Sequence, residues 1–584
     1  MRRVHLSSFT VVGVAAALAL SLVRLCVADQ SSIIIDGVFD DWIDMRAAYE
    51  DASGDGGGTG IDLGRMWISD DDRFLFLRFE LGVELDLSEN NDLRIYLDTD
   101  ADSRTGLWVA GIGAELEWRL GQRIGTFRYQ GRSTTVFHDH LRFRGGPTVT
   151  AAVFEVAFGR DTLPDGSNPL FLGPQVRIVL RDEAGGDQLP QAGDILSYNL
   201  DEGTLPPKTR MPLTRQDASD LRVITYNVLS DSPWEPGQEP RFGRQFAALA
   251  PDILNFQEIY DHSAAQTAAL VANWLPGRWF AAQQADCKTI SRYPILATWP
   301  LDGNLAALID TTSVLGNDLL LINAHLPCCS NEAGRQAEID RIMAFIRDAQ
   351  RLGGAIDLPP NTPILITGDL NLVGLTQQLT SLLTGDIVNE AIFGPDFAPD
   401  WDGTDLANLI SRQTEKRMGY TWRNDFSSFW PGHLDYFIYA DHVLEAANHF
   451  ILYTPEMSQE NLDTYGLLST DSLASDHILV CADFRPPAPL RTADITGPGG
   501  VPDGCVDSFD LNMVLGAWCS ALTDPDPPGD VDPPCEGCVS PDFLLADISG
   551  PDDAPDGCVD SFDLNTVLAA WCSTLGGNPC GTCQ

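Results

Sequence analysis

Near residue 219 the hydrophobic rhythm of the chain changes, and this change restricts the architectures open to it more than any other feature. Before it, short alternating or apolar runs at 66–68, 74–79, 93–97 and 151–156 are separated by Gly, Asp and Asn. Strands of that length and spacing predict an antiparallel β-sandwich over residues 30–200. After it, strand-like runs at 221–226, 253–256, 319–323 and 364–367 alternate with helical stretches such as 336–350. That alternation predicts an α/β domain over 219–485, with its functional residues at strand ends. Between them, residues 201–218 contain Pro206, Pro207 and Pro212 among polar residues and read as a linker.

A chain of 584 residues exceeds one hydrophobic core, so a multidomain protein is expected. Its 44% apolar content is ordinary for globular folds and argues against wholesale disorder. The balance of 37 basic against 83 acidic residues gives a formal charge of −46, which repels nucleic acid and anionic membranes at long range. Residues 219–485 share the bias, with 15 Lys/Arg against 34 Asp/Glu and a net of −19. A dedicated DNA-binding protein is disfavoured, and a metal ion must do much of any anion handling.

Arg2 and Arg3, an apolar run over 11–25 and the small-residue exit Cys26-Val27-Ala28 form the pattern of a cleaved signal peptide over 1–28. The run is short for a membrane-spanning helix, although an uncleaved anchor is the other reading. A secreted, periplasmic or cell-surface location follows, without a transmembrane segment beyond the signal peptide. Cysteine usage agrees: eight of 13 cysteines fall after residue 500, as in a disulfide-stapled region of an oxidising compartment.

The tail, 486–584, repeats itself with a period of 53 residues. Asp494, Thr496, Asp503, Asp507 and Asp510 recur as Asp547, Ser549, Asp556, Asp560 and Asp563, and each copy runs on into an apolar helix ending in Ala-Trp-Cys. These are oxygen ligands at EF-hand-like positions, with Gly504 and Gly557 allowing the sharp turn. Each copy also carries a C-x-x-C, Cys535/Cys538 and Cys580/Cys583, for which disulfides suit an exported chain better than zinc. The tail resembles the duplicated units of dockerin-like domains, with about five extra residues before Asp503 and Asp556. That resemblance implies a small EF-hand-like α repeat domain, Ca²⁺ in the repeats, and a cell-surface or cohesin-like scaffold as partner. A metal-free disulfide knot is the alternative.

In the N-terminal region, Ile35-Asp36-Gly37 with Asp41-Trp42, and Tyr96-Leu97-Asp98-Thr99-Asp100 with Thr105-Gly106, resemble family-9 carbohydrate-binding modules and DOMON-type sandwiches. A polysaccharide partner is implied, with Trp67, Trp108 or Trp118 as either stacking platforms or core. Asp98, Asp100 and Asp102 alternate as calcium ligands often do; a surface turn reads equally well.

Six ordered segments carry the chemistry of the central domain. They are Thr225-Tyr226-Asn227; Phe256-Gln257-Glu258; Ser291 to Ile295; Asn323-Ala324-His325-Leu326; Gly368-Asp369-Leu370-Asn371; and the pair His433-Leu434-Asp435-Tyr436 and Ser475-Asp476-His477. Singly each is weak, whereas the ordered set over about 250 residues is specific. A phosphodiester under attack develops charge on its oxygens, so carboxylates that hold a hard cation and amide or imidazole donors are the residue types it needs.

In order, spacing and identity these segments resemble the endonuclease/exonuclease/phosphatase family, which includes pancreatic-type deoxyribonucleases, abasic-site endonucleases, bacterial sphingomyelinases and inositol-polyphosphate phosphatases. The resemblance implies a four-layer α/β sandwich of two β-sheets flanked by helices, and a Mg²⁺- or Mn²⁺-dependent phosphodiesterase or phosphatase working by metal-activated water attack. It makes Glu258 the principal Mg²⁺ ligand, with Asp476 and Asn227 near metal and phosphate. Asp369 orients or deprotonates the water, Asn371 donates to phosphate, His325 assists phosphate or leaving group, and Asp435 orients His477. Relatives carry a basic residue where His433 stands, which leaves phosphate contacts at that edge open. Cys328 and Cys329 follow His325, and a disulfide from that loop to Cys287 or Cys481 is not settled by sequence. Nuclease action on nucleic acid and sphingomyelinase-like action on phospholipid both stay open. A surface scaffold with an inactive phosphoesterase fold is the reading from another class.

Overall fold

The structure, a computed structural model, describes residues 33–200, 208–354 and 356–487. The expected signal peptide, part of the linker, and the tail repeats with the candidate ligands Asp494, Thr496, Asp503, Asp507, Asp510, Asp547, Ser549, Asp556, Asp560 and Asp563 lie outside the described residues. The chain divides between Pro486 and Pro487, and all described residues but Pro487 belong to the first unit. Among the described residues no helix is long and apolar enough to cross a membrane.

The N-terminal region forms two antiparallel sheets. The first orders Tyr49–Glu50, Arg65–Asp70, Phe74–Leu85, Ala151–Gly159 and Arg144–Gly146; the second centres on Gln175–Asp182, Leu93–Asp98, Leu116–Arg119, Ile124–Tyr129 and Arg132–Val136. Alternate side chains of both, among them Phe79 and Phe154 from one and Ile95, Trp118 and Ile178 from the other, close a single apolar core. Trp118 is therefore core and Trp67 is 5% exposed, whereas Trp108 stands 72% exposed on a short hairpin.

From Leu221 onward two six-stranded sheets face each other. In one, the parallel pair Leu221–Asn227 and Ile253–Gln257 is flanked by Val480–Arg485 and Cys287–Ser291; in the other, the parallel pair Leu319–His325 and Ile364–Asp369 is flanked by Asn304–Ile309 and Asp435–Tyr439. Glu239–Leu249 buries Phe242 and Phe246 in a cluster with Ile224 and Leu254 of the first sheet. The longest helix, Glu332–Ala349, buries Ile339, Ile342, Met343 and Ile346 with Ile322 and Ile366 of the second. The central strands are apolar on both faces because each lies between a helix layer and the facing sheet.

The inter-sheet core does not stop at the domain edge. Val223, Ile253, Leu321, Leu365 and Val480 belong to one cluster with Trp67, Phe74, Phe76 and Ala157 from the outer face of the sandwich. Ile35 bridges to Met418, Arg417 pairs with Asp71 at 3.4 Å, and Thr148 Oγ1 accepts from the His433 backbone at 2.9 Å.

Candidate active site

Strand register places the chemistry. His325, Asp369 and Asp435 are partners across three adjacent strands, so their side chains form one row at the end of the second sheet. Gly368 allows the approach: its φ is +146°, and an added Cβ would lie 1.8 Å from the Ala324 carbonyl oxygen. In the first sheet Asn227 pairs with Gln257, and Glu258 follows in the left-handed region at φ +62°. A non-glycine residue held there carries strain that its surroundings must fix, and such positions gather at functional sites.

The two sheet ends are tied through polar side chains. Gln257 donates to Asn323 Oδ1 at 2.7 Å, and Ser475 Oγ donates to the Asn227 carbonyl at 2.8 Å. Thr421 Oγ1 accepts from the Asp435 backbone while its carbonyl accepts from Ile478, so this segment links the Asp435 strand to the turn bearing His477.

Asn227 is fully buried and its amide donates to Glu258 at 3.0 Å and to Asp369 Oδ2 at 2.9 Å. The same Asp369 oxygen faces Nε2 of His325 at 3.6 Å and Nε2 of His477 at 3.5 Å. His477 Nδ1 lies 2.9 Å from Asp435 Oδ2, which fixes the tautomer that directs Nε2 at Asp369. Burial opposes a charge on this imidazole, but Asp435 and Asp369 outweigh it and carry the His477 pKa up to about 10. Burial also lifts Asp435, to about 6, against the pull of His477. Between those values the pair is ionic. For His325, burial again lowers and the bond to Asp286 raises, with a net upward shift.

Glu258, Asn227, His325, Asp369, Asp435 and His477 thus converge. The Asn371 side chain turns to donate to the Leu326 carbonyl at 3.0 Å, while its backbone caps Asp369 at 3.1 Å. The Asp476 carboxylate accepts from the Trp422 indole at 3.2 Å, at a small cavity shared with Arg423, Tyr453 and Ser475. His433 is buried, bonded to the Gly419 carbonyl at 2.9 Å and edge-on to Tyr436; burial lowers its pKa, so it brings no positive charge to a phosphate. The rim loop is not tied to Cys287 or Cys481, which are buried and free among the described residues. Cys328 and Cys329 are bonded to each other.

Sequence reasoning missed Asp286. Its Oδ2 takes a 2.6 Å contact from His325 Nδ1 and a 2.9 Å bond from the Glu258 backbone, so it positions two site residues at once. It sits at the tip of the hairpin between Phe280–Gln284 and Cys287–Ser291, where a turn aspartate carries no distinguishing signal. Ser230, whose backbone and hydroxyl both donate to Glu258, was missed for the same reason.

Residues 224–496, which carry this arrangement, are similar to one known family. They match the Endonuclease/Exonuclease/phosphatase family. The matched stretch takes in all six ordered segments. No curated protein matches the chain. Among solved structures, the catalytic domain of human Nocturnin with bound sulfate is 16% identical, covering 47% of this chain and 100% of that one, TM-score 0.30. D. rerio TDP2 complexed with single-strand DNA product is 16% identical, with 46% and 100% covered and a TM-score of 0.31. ANGEL2, a 2',3'-cyclic phosphatase, in complex with adenosine-2',3'-vanadate is 15% identical, with 46% and 96% covered and a TM-score of 0.32.

Proposed function

We propose that the chain is a secreted, Mg²⁺- or Mn²⁺-dependent phosphodiesterase acting in a nuclease-like manner. The observation that carries this is the shared Asp369 oxygen, which takes the Asn227 amide and faces two imidazoles held by Asp286 and Asp435. A water on that oxygen is oriented toward a phosphorus atom while His477, charged through its pair with Asp435, complements a nonbridging oxygen. Each well-placed donor contributes about 3 kcal/mol to transition-state binding. His325, held by Asp286, assists the phosphate or hands a proton to the departing oxygen.

A divalent cation fits the donor chemistry, because Glu258, Asp286, Asp369, Asp435 and Asp476 bring five carboxylates against two imidazoles. Glu258 and Asp476 would hold the ion. When bound it supplies Lewis acidity to the phosphoryl oxygens.

The finer reading extends to the flanks. Exposed Trp108 supports a sugar-stacking face on the sandwich, and the tail sequence supports a Ca²⁺-binding docking module that attaches the enzyme to a scaffold. The test is hydrolysis of bis-p-nitrophenyl phosphate with Mg²⁺ or Mn²⁺ and with chelator, followed by a panel of DNA, RNA, sphingomyelin, phosphatidylinositol phosphates and sugar phosphates. Metal-dependent turnover with preference for DNA or RNA is the expected result. Absence of any metal-dependent turnover overturns the enzyme reading, and cleavage of sphingomyelin alone moves the substrate to phospholipid.

A further inference from the structure

At the end of Leu93–Asp98 the sandwich gathers three carboxylates, Asp98, Asp100 and Glu115, with one oxygen of each within 4.8 Å of the others. Asp98 and Glu115 are 0% and 1% exposed, so this is not the ordinary crowding of acids on a solvated surface. Of Asp98, Oδ2 accepts from Gly113 at 3.2 Å and faces Arg177 at 3.3 Å, while Oδ1 is sealed from solvent without a hydrogen-bond partner among the described residues. A buried carboxylate oxygen without a donor is costly, and an ion is one of the few ways to satisfy it.

Donors are scarce throughout the cluster. The single hydroxyl proton of Thr105 lies among both oxygens of Asp100 at 3.0 and 3.1 Å, Glu115 Oε1 at 3.0 Å and the Asp102 carbonyl at 2.9 Å. One proton serves one acceptor. Thr99 adds its backbone N–H at 2.8 Å and its hydroxyl at 3.5 Å to Glu115 Oε2, and the Asp102 backbone donates to Asp100 Oδ1 at 2.9 Å. Three negative charges then face one guanidinium, since the nearby Arg104 is spent on Asp102 at 2.6 Å. The alternation of Asp98, Asp100 and Asp102 along the sequence is thus misleading at its last member: Asp102 turns to Arg104, and Glu115, from the bend between Ile112–Ala114 and Leu116–Arg119, takes its place.

We propose that Asp98, Asp100 and Glu115 bind a calcium ion, with the Thr105 hydroxyl and the Asp102 carbonyl as further oxygen ligands. The donor set is all oxygen, irregular and partly backbone, which suits Ca²⁺ at about 2.4 Å better than the near-ideal octahedron of Mg²⁺. The ion closes the loop between Leu93–Asp98 and the hairpin that carries Trp108.

The full chain and its D98N/E115Q variant are freed of metal with chelator, returned to saturating Mg²⁺ and titrated with CaCl₂ in equilibrium dialysis. The variant is expected to bind one Ca²⁺ equivalent fewer than the wild type, with an unchanged far-UV circular dichroism spectrum. Equal stoichiometry overturns the site. If the double variant does not fold, D100N replaces it, with the affinity of one equivalent expected to fall about tenfold or more; an unchanged isotherm overturns the proposal. A cluster held by a shared proton alone also overturns it, and shows as D98N/E115Q melting higher than wild type in chelator while calcium leaves the wild-type melting temperature where it was.

Discussion

Asp286 holds His325: its Oδ2 lies 2.6 Å from Nδ1 of that imidazole, leaving Nε2 directed at Asp369. Because the same oxygen accepts from the Glu258 backbone, a residue outside every motif couples a proposed metal ligand to a proposed acid. Replacing it, Asp286→Ala, is expected to lower kcat by about 10- to 100-fold and to require more Mg²⁺ for half-maximal rate. Steady-state kinetics against Mg²⁺ check this, and wild-type behaviour in both would remove Asp286 from the machinery.

His477→Ala is expected to cost about 10²- to 10³-fold in kcat, the scale of a lost transition-state donor. Turnover at the wild-type level would show that the clamp lies elsewhere.

The pH profile follows from the Asp435 and His477 pair. Activity that needs the ionic pair rises as pH passes about 6, where Asp435 loses its proton, and falls as pH passes about 10, where His477 loses its own. In Asp435→Asn the charge that sustains His477 is gone, so the alkaline limb is expected to move toward neutrality; kcat measured from pH 5 to 10.5 reads the shift.

Acid stability has a separate determinant. Burial, with Arg412 nearby, lowers the His449 pKa from 6.5 to about 4, and its Nδ1 faces Ser411 Oγ at 3.1 Å. A depressed folded-state value means the native state favours the neutral ring: the contribution is fully present above 6.5 and is lost as pH falls through about 4. His449→Gln is expected to flatten the loss of melting temperature between those values, measured by thermal denaturation at half-unit steps.

Deep in the first sheet Arg222 and Asp483 form a bidentate pair, both bonds 2.6 Å, with side chains 2% and 0% exposed. Arg222 also donates to the Leu213 and Leu249 carbonyls. Asp483→Ala leaves that guanidinium buried without its partner and is expected to destabilise the domain by about 3–5 kcal/mol in urea denaturation.

Periodicity alone determined that an all-β region precedes an α/β region, because period-2 runs and long helical stretches are written in consecutive residues. The strands over 221–227, 253–257, 319–325 and 364–369 and the main helix lie where those runs place them, each ending a residue or two from the expected boundary. The six segments were legible for the same reason: Asn227, Glu258, His325 and Asp369 sit at or just after strand ends, and strand ends are local.

What only the tertiary structure decided is which side chain meets which. Asp286 and Glu115 are ordinary acids in sequence, and they acquire roles because the turn between Phe280–Gln284 and Cys287–Ser291 and the bend between Ile112–Ala114 and Leu116–Arg119 deliver them to His325 and to Asp98. Asp102 and His433 had the right type and position, yet one turned to Arg104 and the other into the core. The core that joins Trp67 and Phe76 to Val223 and Leu365 is equally invisible along the chain. Hydrophobic pattern reports which face of an element is buried; long-range packing chooses the partner, since contact energy depends on proximity in space rather than in sequence.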